Sequence, residues 1–108
     1  MAYFKKYTDI NAQTGTSYTL VLGDLGQLIT LTNESAITLE VPLNSSVAFP
    51  IGTQIDLVQG DEGTVTVQST AGATINSNGS LTDLNGQWAS ASLIKTGSDT
   101  WLLIGNLA

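Results

Sequence analysis

Ala36-Ile37-Thr38-Leu39-Glu40-Val41 decides the fold class. In an extended chain Ile37, Leu39 and Val41 lie on one face and Thr38 and Glu40 on the other, the period of two that a strand imposes. Val65 and Val67 alternate in the same way with Thr64, Thr66 and Gln68. Working outward, short runs rich in Val, Ile, Leu and Thr recur at intervals of roughly ten residues between clusters of Gly, Asn, Asp and Pro, the spacing of a sandwich or barrel. They predict eight strands, over residues 17–22, 27–32, 36–41, 53–59, 64–69, 73–76, 88–95 and 100–104. No stretch keeps apolar residues at helical spacing for three turns, and β-branched residues abound, so little or no helix is expected.

The segments between the runs carry turn chemistry. Gly23-Asp24-Leu25-Gly26, Gly60-Asp61-Glu62-Gly63 and Gly97-Ser98-Asp99 supply residues that tolerate positive φ, and Asn78-Gly79 and Asn85-Gly86 are hairpin-type pairs. Pro42 and Pro50 bracket a stretch that reads as a crossing connection or an edge, because proline donates nothing to a central ladder. The expected architecture is all-β: a single compact antiparallel β-sandwich or barrel, jelly-roll-like, over residues 10–108, preceded by a short N-terminal arm over residues 1–9.

Composition narrows the function. The 108 residues suit one domain. Hydrophobic content is 42% and charged residues are 11%, so the chain should fold rather than stay disordered. The only cations are Lys5, Lys6 and Lys95 against nine acids, a net charge of -6 that would repel a phosphate backbone; no nucleic-acid partner is expected. No apolar run approaches the length needed to span a bilayer and residues 1–9 lack a signal-peptide core, so neither membrane insertion nor Sec export is expected.

With no His and no Cys, most hydrolase mechanisms, disulfides and Cys-type zinc sites are closed. Lys95 ends a predicted strand and reads as a solvated lysine rather than half of a Ser-Lys dyad. Asp56, Asp61 and Glu62 are the acids a glycosidase pair would have to use, yet Asp61 and Glu62 fall in a turn where acids are usually solvated. The 60–63 turn offers two carboxylates without calcium-loop spacing, Asn33-Glu34-Ser35 reads as a turn, and neither Gly-rich loop has the lysine or helix of a phosphate cradle. No catalytic residue, metal or cofactor is therefore assigned.

What remains points to binding. Tyr3, Phe4, Lys5, Lys6 and Tyr7 put two of the three lysines and three aromatic rings into a basic arm on an acidic body. Such residues carry interface energy, although a frayed terminus would look the same. In Trp101-Leu102-Leu103-Ile104 both faces of a strand are apolar while only one can meet the core, so Trp101, Leu102 and Leu103 are the expected oligomer interface. Trp101 would pack in the core or against another subunit, whereas Trp88 is evenly balanced between packing and stacking on a sugar.

Three blocks carry a resemblance: the run from Asn11-Ala12-Gln13-Thr14-Gly15 to Leu22, the stretch Phe49-Pro50-Ile51-Gly52-Thr53-Gln54-Ile55, and the close from Ile94-Lys95-Thr96-Gly97 through Asp99-Thr100-Trp101 to Gly105. Together they resemble a small β module of tailed-bacteriophage virion proteins, found in tail-fibre-like chains and capsid-surface proteins. That resemblance implies a non-catalytic, typically trimeric module. Fibre proteins place it after a long stalk, whereas here it starts about ten residues from Met1. The expectation is thus a bacteriophage virion structural protein, a capsid decoration (cement) protein. It would be made in the host cytoplasm without a signal peptide and would bind the major capsid protein or another virion protein as a homotrimer. The alternative is a receptor-binding or tail-fibre tip module that recognises host surface glycan.

Overall fold

In the computed structural model, which describes residues 7–108, nine strands form. They are β1 (Asp9–Gln13), β2 (Ser17–Thr19), β3 (Gln27–Leu31), β4 (Ile37–Val41), β5 (Gln54–Gln59), β6 (Val65–Ser69), β7 (Thr74–Ser77), β8 (Ser90–Gly97) and β9 (Thr100–Gly105). Helix among the described residues is limited to two 3-10 turns, Leu22–Asp24 and Asn78–Ser80. Six strands make one sheet in the order β1-β3-β5-β8-β9-β7, and β2-β4-β6 make a second.

The connectivity differs from the expected antiparallel arrangement. The β1, β3 and β5 strands pair in parallel on one sheet, and β2, β4 and β6 pair in parallel on the other. The chain therefore coils: each of three windings lays one strand on each sheet, and the next winding stacks beside it. Between strands, antiparallel pairing is found at β5–β8 and β8–β9, while β7 joins β9 in parallel; two isolated antiparallel bridges, Thr66 with Asp83 and Leu84 with Leu107, lie outside them. The β-rich class stands and the uniform antiparallel pairing does not. The physical reason is that side-chain alternation is the same in both kinds of ladder, so strand direction is set by the connections. A corner that carries the chain onto the opposite sheet uses the same Gly, Asn and Asp as a hairpin. Of the five expected hairpin turns, Gly97-Ser98-Asp99 joins a paired antiparallel couple, β8 and β9, whereas the 60–63 turn is a corner between sheets.

Corners of successive windings stack on one another through backbone bonds. Thr32 N–H donates to Gln13 O (2.9 Å) and Thr38 N–H to Thr16 O (2.9 Å), joining the first two corners. Gly60 N–H donates to Leu31 O (2.7 Å) and Gly63 N–H to Asn33 O (2.9 Å), joining the second and third. At Gly63 a Cβ would collide with the Ser35 carbonyl, so this corner closes only on glycine. Asn33 supports it from beneath, its Nδ2 donating to Thr14 O (2.8 Å) and its Oδ1 accepting from Ser35 N–H (2.9 Å).

The core lies between the sheets. Ile29, Leu31, Ile37, Leu39 and Val41 of the second winding and Ile55, Leu57, Val65 and Val67 of the third are buried, joined by Leu93, Trp101 and Leu103 from β8 and β9. The first winding is different. Asn11, Gln13 and Tyr18 line up with the inward rows above them, Asn11 with Ile29, Gln13 with Leu31 and Tyr18 with Leu39. They make a hydrogen-bonded floor around Asp24, which is 1% exposed. Asn11 Nδ2 donates to Asp24 Oδ1 (2.9 Å) and to Tyr18 Oη (3.0 Å), the Tyr18 hydroxyl donates to Asp24 (2.9 Å), and Val21 N–H donates to Asp24 Oδ2 (2.9 Å). A buried carboxylate is tolerable only with such partners. Here the partners also seal the apolar core, as a terminal repeat must. Burial, followed by the carboxylate at its hydroxyl, pushes the Tyr18 phenol up to about 12.

Candidate interaction surface

The register of the large sheet sets Ile10, Leu28, Asp56, Ser92 and Ile104 side by side across five strands. This row alternates with the core rows and so faces outward. A neighbouring outward row runs Gln54, Ile94, Leu102 and Asn76, and another Ala12, Thr30, Val58 and Ser90. Ile10 and Ile104 are 51% and 47% exposed, and Leu28, Val58, Ile94 and Leu102 are half-buried. Scattered apolar side chains on a surface need no explanation, but six in adjoining rows of one face form a patch.

Asp56 sits within this face yet is only 8% exposed. Its Oδ2 accepts from the Tyr7 hydroxyl (2.6 Å), and its Oδ1 accepts from Gln54 Nε2 (2.9 Å) and the Ser92 hydroxyl (2.5 Å). The hydrogen bond to this carboxylate, with burial next, holds the Tyr7 phenol above its ordinary value. Thr8 N–H donates to Gly26 O (2.6 Å), and β1 begins at Asp9. Tyr7, Thr8 and Asp9 are thus fastened to the body on the outer face. Tyr3, Phe4, Lys5 and Lys6, the other expected partner-binding residues, lie outside the described residues.

The expected oligomer strand divides by side. Trp101 (1% exposed) and Leu103 (fully buried) point into the chain's own core, where Phe49 meets Trp101 edge to face at 5.6 Å between ring centroids. Leu102 and, next to it on the same side, Ile104 face outward, so these are the apolar groups that β9 offers to a partner.

Lys95 is a correction. Expected to be a solvated strand end, it is 2% exposed. Its Nζ donates to Asn44 Oδ1 (2.6 Å) and to Phe49 O (2.8 Å) and lies 5.9 Å from the centroid of the Trp101 ring. The register explains this: Lys95 stands opposite Trp101, in an inward row. The proline-bracketed connection from β4 to β5 folds over this row and supplies the oxygens that a buried ammonium requires. Asp99 Oδ1 holds the same connection by accepting from Asn44 N–H (2.8 Å).

The weighed acids do not converge into one set of contacts. Asp56 is engaged as described, while Asp61 lies in the third corner, its Oδ1 accepting from Glu62 N–H (2.7 Å). Among the described residues no three acidic side chains come together as a cation site. Trp88 is 70% exposed and adopts φ +70°, a left-handed conformation that no local sequence signal announces. Compared with known proteins, the chain matches no protein-family model and no curated protein.

Proposed function

We propose that this chain is a non-enzymatic virion structural protein of a tailed bacteriophage, a capsid decoration protein that binds the shell as a homotrimer. One observation supports the reading above others: Tyr7, the last aromatic residue of the basic arm, is fastened through Asp56 to the same outer face that carries the half-exposed apolar patch. A surface that copies of the chain could share and a segment suited to grip another protein therefore start from one place. Burying Ile10, Leu102 and Ile104 between copies contributes about 25 cal/mol for each Å² of apolar surface removed from water. In a trimer three arms leave together, so the second and third bind at high effective concentration and weak individual contacts add to firm attachment. Tyr3 and Phe4 serve as apolar anchors, and Lys5 and Lys6 as cationic contacts to an acidic shell.

The test is co-sedimentation of the purified full-length chain with undecorated phage capsids. A chain lacking residues 1–6, which keeps Tyr7, Thr8 and Asp9 in place, is expected to fold and trimerise but to lose the capsid. Unchanged binding sinks the role of the arm. Ile104→Asp is expected to shift sedimentation from trimer to monomer, and a wild-type chain that is monomeric at all concentrations sinks the trimer.

A further inference from the structure

Trp88 stands out from the rest of the fold. Bulky residues other than glycine rarely adopt a left-handed backbone, and they persist there only when their surroundings enforce it. The surroundings here do so. Trp88 N–H donates to Gln59 O (2.7 Å), Ala89 N–H to Gly86 O (3.0 Å) and Gln59 N–H to Ala89 O (3.0 Å), while Gln87 Nε2 reaches Gly60 O (3.3 Å). On either side Leu84 and Ala89 are buried, 2% and 7% exposed. The segment is thereby seated on top of the third corner. The indole itself gains nothing from this, since 70% of the residue remains in water. Glycine would serve the backbone better, and a core gains no packing from a ring outside it. An unfavourable backbone that keeps a large, flat ring in water is a feature of presentation rather than of stability.

The neighbouring groups define what the ring suits. Asn85, Gln87 and Asn106 are all exposed amides, with Asn85 tied to Asn106 by backbone (3.1 Å) and side-chain (3.1 Å) bonds. No side chain from residue 84 to residue 90 is charged, and the acids of the corner beneath are Asp61 and Glu62. A flat apolar face with an Nε1–H at its edge, carried by a segment whose exposed polar side chains are neutral amides, matches a neutral pyranose, which has an apolar C–H face and a rim of hydroxyls. We infer that the Trp88 corner is a binding site for neutral saccharide. This goes beyond capsid attachment and does not depend on it: the corner adjoins the patch at Ser90, opposite Val58, but its test reads the Trp88 indole and not capsid binding, so the two readings fail separately.

The indole N–H signals of the full-length chain in two-dimensional NMR provide the test, with buried Trp101 as the internal reference. D-glucose, D-galactose, N-acetyl-D-glucosamine and L-rhamnose are each titrated to about 100 mM, two decades above the ~1 mM Kd that corresponds to ~4 kcal/mol. Dextran is added as a polymer, and choline chloride as a cationic probe. At least one sugar is expected to move the Trp88 signal saturably and leave Trp101 in place. Saturation by dextran at a lower glucose-unit concentration than free glucose identifies a polysaccharide as the source. Trp88→Ala is expected to abolish binding with the melting temperature unchanged or raised, and Trp88→Tyr to retain part of it. Silence toward all the sugars overturns the inference, as does a response to choline alone. Dissociation of the assembled protein by Trp88→Ala would also overturn it, since the ring would then belong to a protein interface.

Discussion

Lys95 Nζ donates to Asn44 Oδ1 at 2.6 Å across 51 residues of sequence, in an environment where the lysine is only 2% exposed. The contact fastens the long connection between β4 and β5 to the inward face of the large sheet at β8. Lys95→Met keeps the aliphatic stem and removes the donor, leaving Asn44 Oδ1 and Phe49 O without their partner. Since a buried acceptor left unsatisfied costs roughly 1–3 kcal/mol, an overall loss of about 2–4 kcal/mol is expected in urea unfolding. A surface lysine would give less than about 0.5 kcal/mol, so a change that small rules the buried tie out.

Gly63 and Gly23 make opposite predictions. Alanine at Gly63 meets the Ser35 carbonyl, which is backbone and has no rotamer to yield, so the stacked corners must part. A loss of about 2 kcal/mol or more is expected, at the upper end of overpacking costs. At Gly23 nothing lies within 4 Å of the added Cβ, and alanine there should be neutral or stabilising by up to about 1 kcal/mol. Thermal melts of the two variants decide the matter, and equal effects would contradict the stacked corners.

Alkaline pH should weaken the floor of the coil. The Tyr18 phenol ionises near 10 when unfolded and at about 12 when folded. The folded state thus holds the proton more tightly, and its contribution is complete below pH 10 and declines as pH rises toward 12. Lysines titrate in the same range, so the measurement is the difference between the wild type and Tyr18→Phe in stability against pH. The wild type is expected to lose more over this interval; parallel curves would remove Tyr18 from the account.

Removing the Asp56 carboxylate should be felt at Tyr7. Asp56→Ala deprives the Tyr7 hydroxyl, Gln54 and Ser92 of their shared acceptor, which should lower stability by about 1–3 kcal/mol. Its specific signature is a Tyr7 phenol that falls back toward the ordinary tyrosine range, followed by ultraviolet titration. An unchanged titration would mean that the hydrogen bond does not hold the residue.

The strands are legible because alternation in segments such as Ile37-Thr38-Leu39-Glu40-Val41 depends on burial of one face and on nothing else. β1 escapes that signal because its inward positions are Asn11 and Gln13, polar residues that satisfy each other instead of packing. The winding is hidden for a related reason. Asp9 stands opposite Gln27 and Ser17 opposite Thr38, so the step from the first winding to the second is longer on the small sheet than on the large one. The next step, from Leu28 to Asp56 and from Ile37 to Val65, is longer than either. Windings of unequal length leave no repeat to detect. The burial of Lys95 is not legible locally, because it depends on oxygens supplied from Asn44 and Phe49. The arm's link to the sheet likewise includes long-range pairs, Tyr7 with Asp56 and Thr8 with Gly26, that no local pattern announces.

The polar floor built on Asp24 bounds the winding on one side and the antiparallel β5–β8 pairing stops it on the other, and the step from its second to its third winding is equally long on both sheets. A further segment of that length set in at this step would lengthen the molecule by about 4.8 Å, one strand spacing, with both ends intact. The height at which the protein carries its outermost groups is thus a modular quantity, adjusted from the middle like the leaves of a table.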